Sequence, residues 1–303
     1  METFLKTLFS GVALGGVYAL VALGFVIVYR ASRLLNFAQG ALMLLGGYLA
    51  WQIAIDWGWG FWLGTVVAVL ATAAFAALLQ LGVLRWLIGR APTAQILATV
   101  GILVALTAVM QWIWGAEDRV DYAPGFRNEQ FQVFGVGIPW VDVCAIGLAG
   151  LVVVAFFVTF RYTRFGIAMR AAAADQEAAM AQGISVRRVL TASWAIAGGL
   201  AALACVMLAV GAGPTKVLQP DLAFYALLAF PAAIVGGLDS PLGAVVGGVI
   251  IGCAQQFGGT YVVAKWLPEL GANFTTVLPF LLMLLILLVR PAGLFGRDDV
   301  RRV

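Results

Sequence analysis

The chain contains no histidine, and only 11% of its 303 residues are charged. The first absence removes the commonest general base and the commonest metal ligand. The cysteines Cys144, Cys205 and Cys253 lie in or beside apolar stretches with no Cys-x-x-Cys pair, so they cannot frame a zinc site and read as small packing residues. Lysine is scarce as well. None of Lys6, Lys216 and Lys265 follows a glycine, so the Gly-Lys-Ser/Thr of a phosphate-binding loop is missing and ATP hydrolysis by that route is excluded. The apolar stretches hold almost no ionisable side chains, and Asp56, Asp142, Asp221 and Asp239 all fall at loops or stretch boundaries. A proton relay across a membrane is therefore disfavoured, while sodium coupling through backbone carbonyls stays open. With no catalytic set, no metal cluster and no cofactor in view, an enzyme is disfavoured.

What is present is apolar surface. Hydrophobic residues make up 63% of the chain, and its mean hydropathy is +1.02. A soluble domain carries roughly 25% charged residues, so most of these side chains are not meant for water. Uncharged runs of about 20 residues, the length that crosses ~30 Å of hydrocarbon as a helix, recur at 8–28, 34–55, 61–84, 95–114, 143–160, 191–211, 222–236, 241–258 and 274–289. Runs such as Leu281–Val289 show no in–out alternation, which argues against a barrel. The N-terminal run exceeds the usual apolar core of a secretory signal and reads as a retained first span. The expectation is an all-α, polytopic transmembrane helical bundle of about nine spans (8–10). The runs at 34–55, which opens on the polar Asn36–Gln39, and at 222–236, which contains Pro231, are candidates for broken helices.

Alternating loops place thirteen of the 18 basic residues on one side, among them Arg30, Arg33, Arg170, Arg187 and Arg290. Lys6, Arg119, Arg127, Lys216 and Lys265 fall on the other. The positive-inside bias then sets the N-terminus outside and the C-terminus inside. It also accounts for the net charge of +4, and no basic face of the kind nucleic acid requires is visible. Trp51, Trp57, Trp59, Trp62 and Trp112 sit near span ends as an interfacial belt. The outer segment Gly115–Asp142 reads as a compact loop or short hairpin. The inner segment 161–190 is alanine-rich, and Arg170–Gln182 is expected to form one cytoplasmic helix closed by Gly183. Four Gly-x-x-x-Gly pairs occur, at Gly11/Gly15, Gly60/Gly64, Gly243/Gly247 and Gly248/Gly252. Roughly four are expected by chance from 36 glycines, so the count carries no information.

Four blocks carry a resemblance. The segment Asp175-Gln-Glu177-Ala178-Ala179-Met-Ala-Gln-Gly183-Ile184 resembles the EAA loop of ABC importer permeases, though the proline usual downstream is missing. Gly15–Gly24 followed by Leu35-Asn36-Phe-Ala-Gln39-Gly40, then Gly236–Gly248, then Val289–Gly296, are similar in order to LivH-type permeases of branched-chain amino-acid ABC transporters. Asp239 stands where that pattern often has glycine. The resemblance implies a single permease domain over 1–303 with a coupling loop near 161–190, in a bacterial cytoplasmic (inner) membrane among lipids. It further implies a second, similar permease subunit, two cytoplasmic ATP-binding subunits, an extracytoplasmic solute-binding protein, and substrates such as leucine, isoleucine and valine. Asp175, Glu177, Ala178, Ala179, Gly183 and Ile184 would then contact the ATPase. Asn36, Gln39 and Gly40 either line a polar gap on the solute path or are interfacial residues inside Arg33. The competing readings are a urea or amide permease of the same family, a stand-alone secondary transporter or channel, and a non-transporting membrane scaffold.

Overall fold

An apolar run resolves its backbone polar groups within its own segment only as a helix, and each of the nine runs carries one. The computed structural model describes residues 2–87, 90–120, 122, 129–133, 135–212, 217–266 and 273–296. In chain order the apolar helices are α1 (Glu2–Ser32), α2 (Gln39–Trp51, continued by a π-helical turn Gln52–Asp56), α3 (Phe61–Gly82), α4 (Pro92–Trp114) and α5 (Trp140–Tyr162). The short α6 (Arg164–Ala174) and α7 (Gln176–Ala181) intervene. Then come α8 (Val186–Val210), α9 (Leu222–Gly236), α10 (Pro241–Phe257, continued as π-helix Gly258–Trp266) and α11 (Phe274–Val289). Among the described residues, six helices are long and apolar enough to cross a membrane alone: α1, α3, α4, α5, α8 and extended α10. The apolar α9 and α11 are shorter.

Two helices form the centre. The most apolar window of α1 is 94% buried within the protein and that of α8 is 89% buried, against 17% for α4 and for α5. The outer helices present Leu97, Val104 and Trp112 of α4 and Leu151, Val154 and Val158 of α5. Such surface is at home in lipid or against another apolar subunit. Because lipid is as apolar as leucine, helix association inside a bilayer depends on close packing. The α1–α10 crossing achieves it with glycine. A Cβ on Gly15 would lie 2.7 Å from Val249 Cα, and one on Gly252 would lie 2.3 Å from the Gly15 nitrogen. A Cβ on Gly248 would meet the Ala19 nitrogen at 2.5 Å. Two of the four Gly-x-x-x-Gly pairs, which their number alone could not single out, thus face one another.

Hydrogen bonds gather the loops at two ends. At one end Arg33 pairs with Asp239 at 2.8 Å, Gln176 Nε2 donates to the Ala31 carbonyl, and the Thr99 hydroxyl donates to the Leu35 carbonyl. At the other, Arg119 and Leu218 exchange backbone hydrogen bonds, Ser10 donates to Asp142 at 2.6 Å, and the Thr7 and Thr260 hydroxyls meet. The segment Gly115–Asp142 contains an antiparallel hairpin, β1 (Gln130–Val133) with β2 (Val136–Pro139), in the register Gln130↔Pro139. Residues 121, 123–128 and 134 of that segment lie outside the described residues, as do Arg127, Lys216, Arg297, Arg301 and Arg302 of the orienting charges.

Two expectations are corrected. Pro231 does not break its helix: α9 runs through it, because α1, α2, α10 and α11 pack around α9 and hold its course. The segment Arg170–Gln182 is not one helix. It divides at Asp175, which is extended at φ −156° and ψ 114°, because a short carboxylate competes for backbone N–H groups and favours a cap over a helix interior.

Candidate functional site

The six residues expected to contact an ATPase form one small structure with a role for nearly every member. Thr163 ends α5, and its hydroxyl accepts from the Gly166 amide to start α6. Asp175 then starts α7: its Oδ1 accepts from the Glu177 amide at 2.8 Å and the Ala178 amide at 3.0 Å. At the other end Ile184 N donates to the Ala179 carbonyl at 3.0 Å and Gly183 N to the Met180 carbonyl at 2.9 Å. This is the paired bond pattern of a Schellman stop, and Gly183 adopts the left-handed φ of +79° it requires. Ala179 is buried and Ile184 half-buried, while Glu177, Ala178 and Gly183 are exposed. A six-residue helix too short to be stable alone is therefore capped at both ends and offers a small, acidic outer face. Its anchor is Gln176, whose amide reaches the last turn of α1; nothing in its sequence context marked this residue.

That turn of α1 leads into the second group. Arg33 takes a left-handed φ of 56°, uncommon for any residue but glycine, and the chain stays non-helical until Gln39. Asn36 Nδ2 donates to Gln39 Oε1 at 3.1 Å, and Gln39 Nε2 donates to the Ala197 carbonyl of α8 at 3.1 Å. Both side chains are wholly buried, and among the described residues Asn36 Oδ1 has no partner. The pair fits because neighbouring positions lack side chains. A Cβ on Gly24 would strike Gln39 Nε2 at 2.3 Å, and one on Gly40 would lie 2.1 Å from the Ala223 carbonyl of α9. Asn36, Gln39 and Gly40 thus come together where α1, α2, α8 and α9 meet, enclosed by protein. Among the described residues the link from these residues to α7 runs through the end of α1 and Gln176.

The other two familiar blocks pack on each other. After α11 the chain turns at Gly293, and Leu294 N and Phe295 N donate to the Val235 and Gly236 carbonyls at 2.8 and 3.1 Å. These carbonyls belong to the last turn of α9, which has no partners of its own. One buried polar pair went unsuspected: Tyr18 of α1 donates to Gln255 Oε1 of α10 at 2.7 Å. A glutamine in an apolar run was its only trace.

A bundle of apolar helices with a buried polar break and one capped helix displayed at its end is the architecture of a multi-pass membrane permease. The chain belongs to the family described as "Branched-chain amino acid transport system / permease component", which matches residues 7–287. It is 31% identical to the high-affinity branched-chain amino acid transport system permease protein LivH of Escherichia coli (strain K12), over 99% of this chain and 98% of that one. It is 28% identical to the permease protein BraD of the corresponding system in Pseudomonas aeruginosa over the same shares. The fructose import permease protein FruF of Bifidobacterium longum is more distant, at 26% identity over 79% of this chain and 66% of its own length. Among solved structures, PsaBC from Streptococcus pneumoniae in complex with Fab shares the fold. Its TM-score is 0.52 at 13% identity, covering 96% of this chain and 93% of that one. The chain is accordingly the membrane permease subunit of an ABC importer, is not itself an enzyme, and works within a multi-subunit transporter.

Proposed function

We propose that this permease carries branched-chain amino acids, in a bacterial cytoplasmic membrane, as a single domain over 1–303. It pairs there with a second, similar permease, two ATP-binding subunits and an extracytoplasmic solute-binding protein. The substrate class is supported by the likeness to LivH and BraD over nearly the full chain. Nine spans with the N-terminus outside and α7 inside are supported by the nine apolar helices of the described residues, whose described connections meet alternately at two ends.

One observation carries the mechanism: α7 is displayed outward and fastened by Gln176 to the α1 turn that opens into the Asn36–Gln39 break. When ATP binding closes the partner subunits, a rigid shift of Glu177, Ala178 and Gly183 is passed through this bond to α1. The break between α1 and α2 is where the helices can change angle, because residues 33–38 are non-helical and keep ladder bonds only at their two ends. When the helices change angle, Asn36 and Gln39 come to offer passing solute amide groups in a largely apolar interior. Purifying the tagged chain from its native membrane tests the assembly: ATP-binding subunits should co-purify stoichiometrically. A chain recovered repeatedly without them would refute it.

The polar pair gives a separate expectation. Gln39→Leu leaves the buried Asn36 amide unpaired and should lower stability by about 1–3 kcal/mol, read by thermal unfolding in mild detergent. Changing Asn36 and Gln39 together to leucine should recover part of that stability while amino-acid uptake stays lost. Recovery of uptake in the double variant would show that the pair is only structural.

A further inference from the structure

At the end of the bundle where Arg119 meets Leu218, one residue ties together segments from across the fold. The Arg119 side chain donates to the Trp114 carbonyl in the last turn of α4. Its guanidinium lies over Trp51 of α2, with Cζ 3.7 Å from the ring centre, where the ring face attracts the cation. Its backbone exchanges hydrogen bonds with Leu218, which precedes α9. Trp114 in turn donates through its indole to Gln52 Oε1 at 2.8 Å and stacks on Tyr48 of α2, the two rings 5.3 Å apart and 3° from parallel.

This junction is polar without being satisfied. Tyr48 Oη, Trp51 Nε1 and Arg119 Nε are buried and without a hydrogen-bond partner, three of the five such side-chain atoms among the described residues. They gather around one guanidinium, since Arg119 Cζ also lies 6.0 Å from the Tyr48 ring centre. A donor shut away from water without an acceptor destabilises the conformation that encloses it, and water satisfies it once that conformation opens. The junction is thus closed by the Arg119 contacts and opposed by the atoms those contacts enclose. It also has room to move: only 17% of the most apolar window of α4 is buried, so the rest of the bundle holds that helix loosely. We propose that this junction is the outer gate of the permease and that Arg119 is its latch. On opening, the guanidinium leaves Trp51 and the Trp114 carbonyl, the end of α4 and the Leu218 segment part from α2, and water reaches Tyr48 and Trp51. The assignment rests on the orientation proposed above, in which this end faces away from the ATP-binding subunits.

Cys205 of α8 is the natural reporter. It is wholly buried beside the junction: a Cβ on Gly47 would lie 2.6 Å from Cys205 Sγ and 2.8 Å from Leu218 Cδ1. The half-buried Cys144 and Cys253 are replaced by serine in every variant. The chain in complex with its partner subunits, in sealed vesicles of either orientation, is treated with a membrane-impermeant methanethiosulfonate. From the side opposite α7, Cys205 should react slowly, and Arg119→Gln should speed the reaction roughly tenfold by removing a charged hydrogen bond that favours closure. Arg119→Lys, which keeps a cation beside Trp51, should fall between the two. Tyr48→Phe keeps the stacked ring and removes an unpartnered hydroxyl, so it should slow the labelling and raise the thermal unfolding temperature, a gain that misfolding cannot imitate. Labelling that Arg119→Gln leaves unchanged, or that Tyr48→Phe speeds, overturns the latch. Failure to label Cys205 in any variant overturns the gate. Acceleration by Arg119→Gln from the α7 side alone overturns the proposed orientation, and with it the outer placement.

Discussion

Gly252→Leu is expected to abolish accumulation of the protein in the membrane. A Cβ at this position would lie 2.3 Å from the Gly15 nitrogen and 2.4 Å from its Cα. Those atoms are backbone of the most buried helix in the bundle, so no side chain can swing aside to make room. Separating α1 from α10 would also pull apart the Tyr18–Gln255 hydrogen bond, leaving two buried polar groups unpaired. Overpacking typically costs about 1–3 kcal/mol and more where only backbone can give way, and the unpaired groups add to it. The control lies on α5, where among the described residues a Cβ on Gly147 or Gly150 would meet nothing within 4 Å. Gly150→Leu should therefore accumulate normally. Immunoblots of membrane fractions and size-exclusion profiles in detergent distinguish the two outcomes, and a monodisperse Gly252→Leu protein would contradict the packing described.

The second large effect concerns transport and not folding. Glu177→Arg reverses the charge on an exposed residue of α7 while leaving both caps in place. The protein should reach the membrane in normal amounts, yet ATP-driven uptake should fall roughly tenfold or more, a loss of about 1.4 kcal/mol or more in productive docking. Gly183→Val should act on the same step by a different route. A β-branched residue at φ +79° is strained by about 1–2 kcal/mol, which unwinds the Schellman stop and blurs the face α7 presents. Gly183→Asn, which tolerates the left-handed region, should retain most activity. Normal uptake by both Glu177→Arg and Gly183→Val would remove α7 from the coupling path.

Much of this architecture was legible because hydrocarbon is a demanding solvent: the nine apolar runs can satisfy their backbones in only one way, and each is a helix. Gly183 was legible for a local reason, since few residues accept the conformation that ends a helix there. Most of what could not be read depended on partners distant in sequence, and the break at Asp175 is the local exception. Asp175 sits in an alanine-rich run whose propensity favours one continuous helix, and its preference for capping prevailed. The facing of Gly11/Gly15 against Gly248/Gly252 was hidden by glycine abundance, because chance alone yields as many such pairs. The pairings of Gln176 with Ala31, Arg33 with Asp239 and Tyr18 with Gln255 span 145, 206 and 237 positions. No local pattern encodes them. Asn36 and Gln39 stood out as polar residues opening an apolar run, but their complete enclosure depends on the absence of side chains at Gly24 and Gly40.

The most direct test of the central claim, that this chain is an energy-dependent permease with no driving chemistry of its own, is uptake of labelled leucine into proteoliposomes. The assembly proposed above, of this chain with a second permease, ATP-binding subunits and a solute-binding protein, should accumulate leucine only when ATP is supplied on the α7 side. Accumulation should persist when the proton gradient is collapsed. Leucine accumulation by this chain alone, without ATP, would contradict the account.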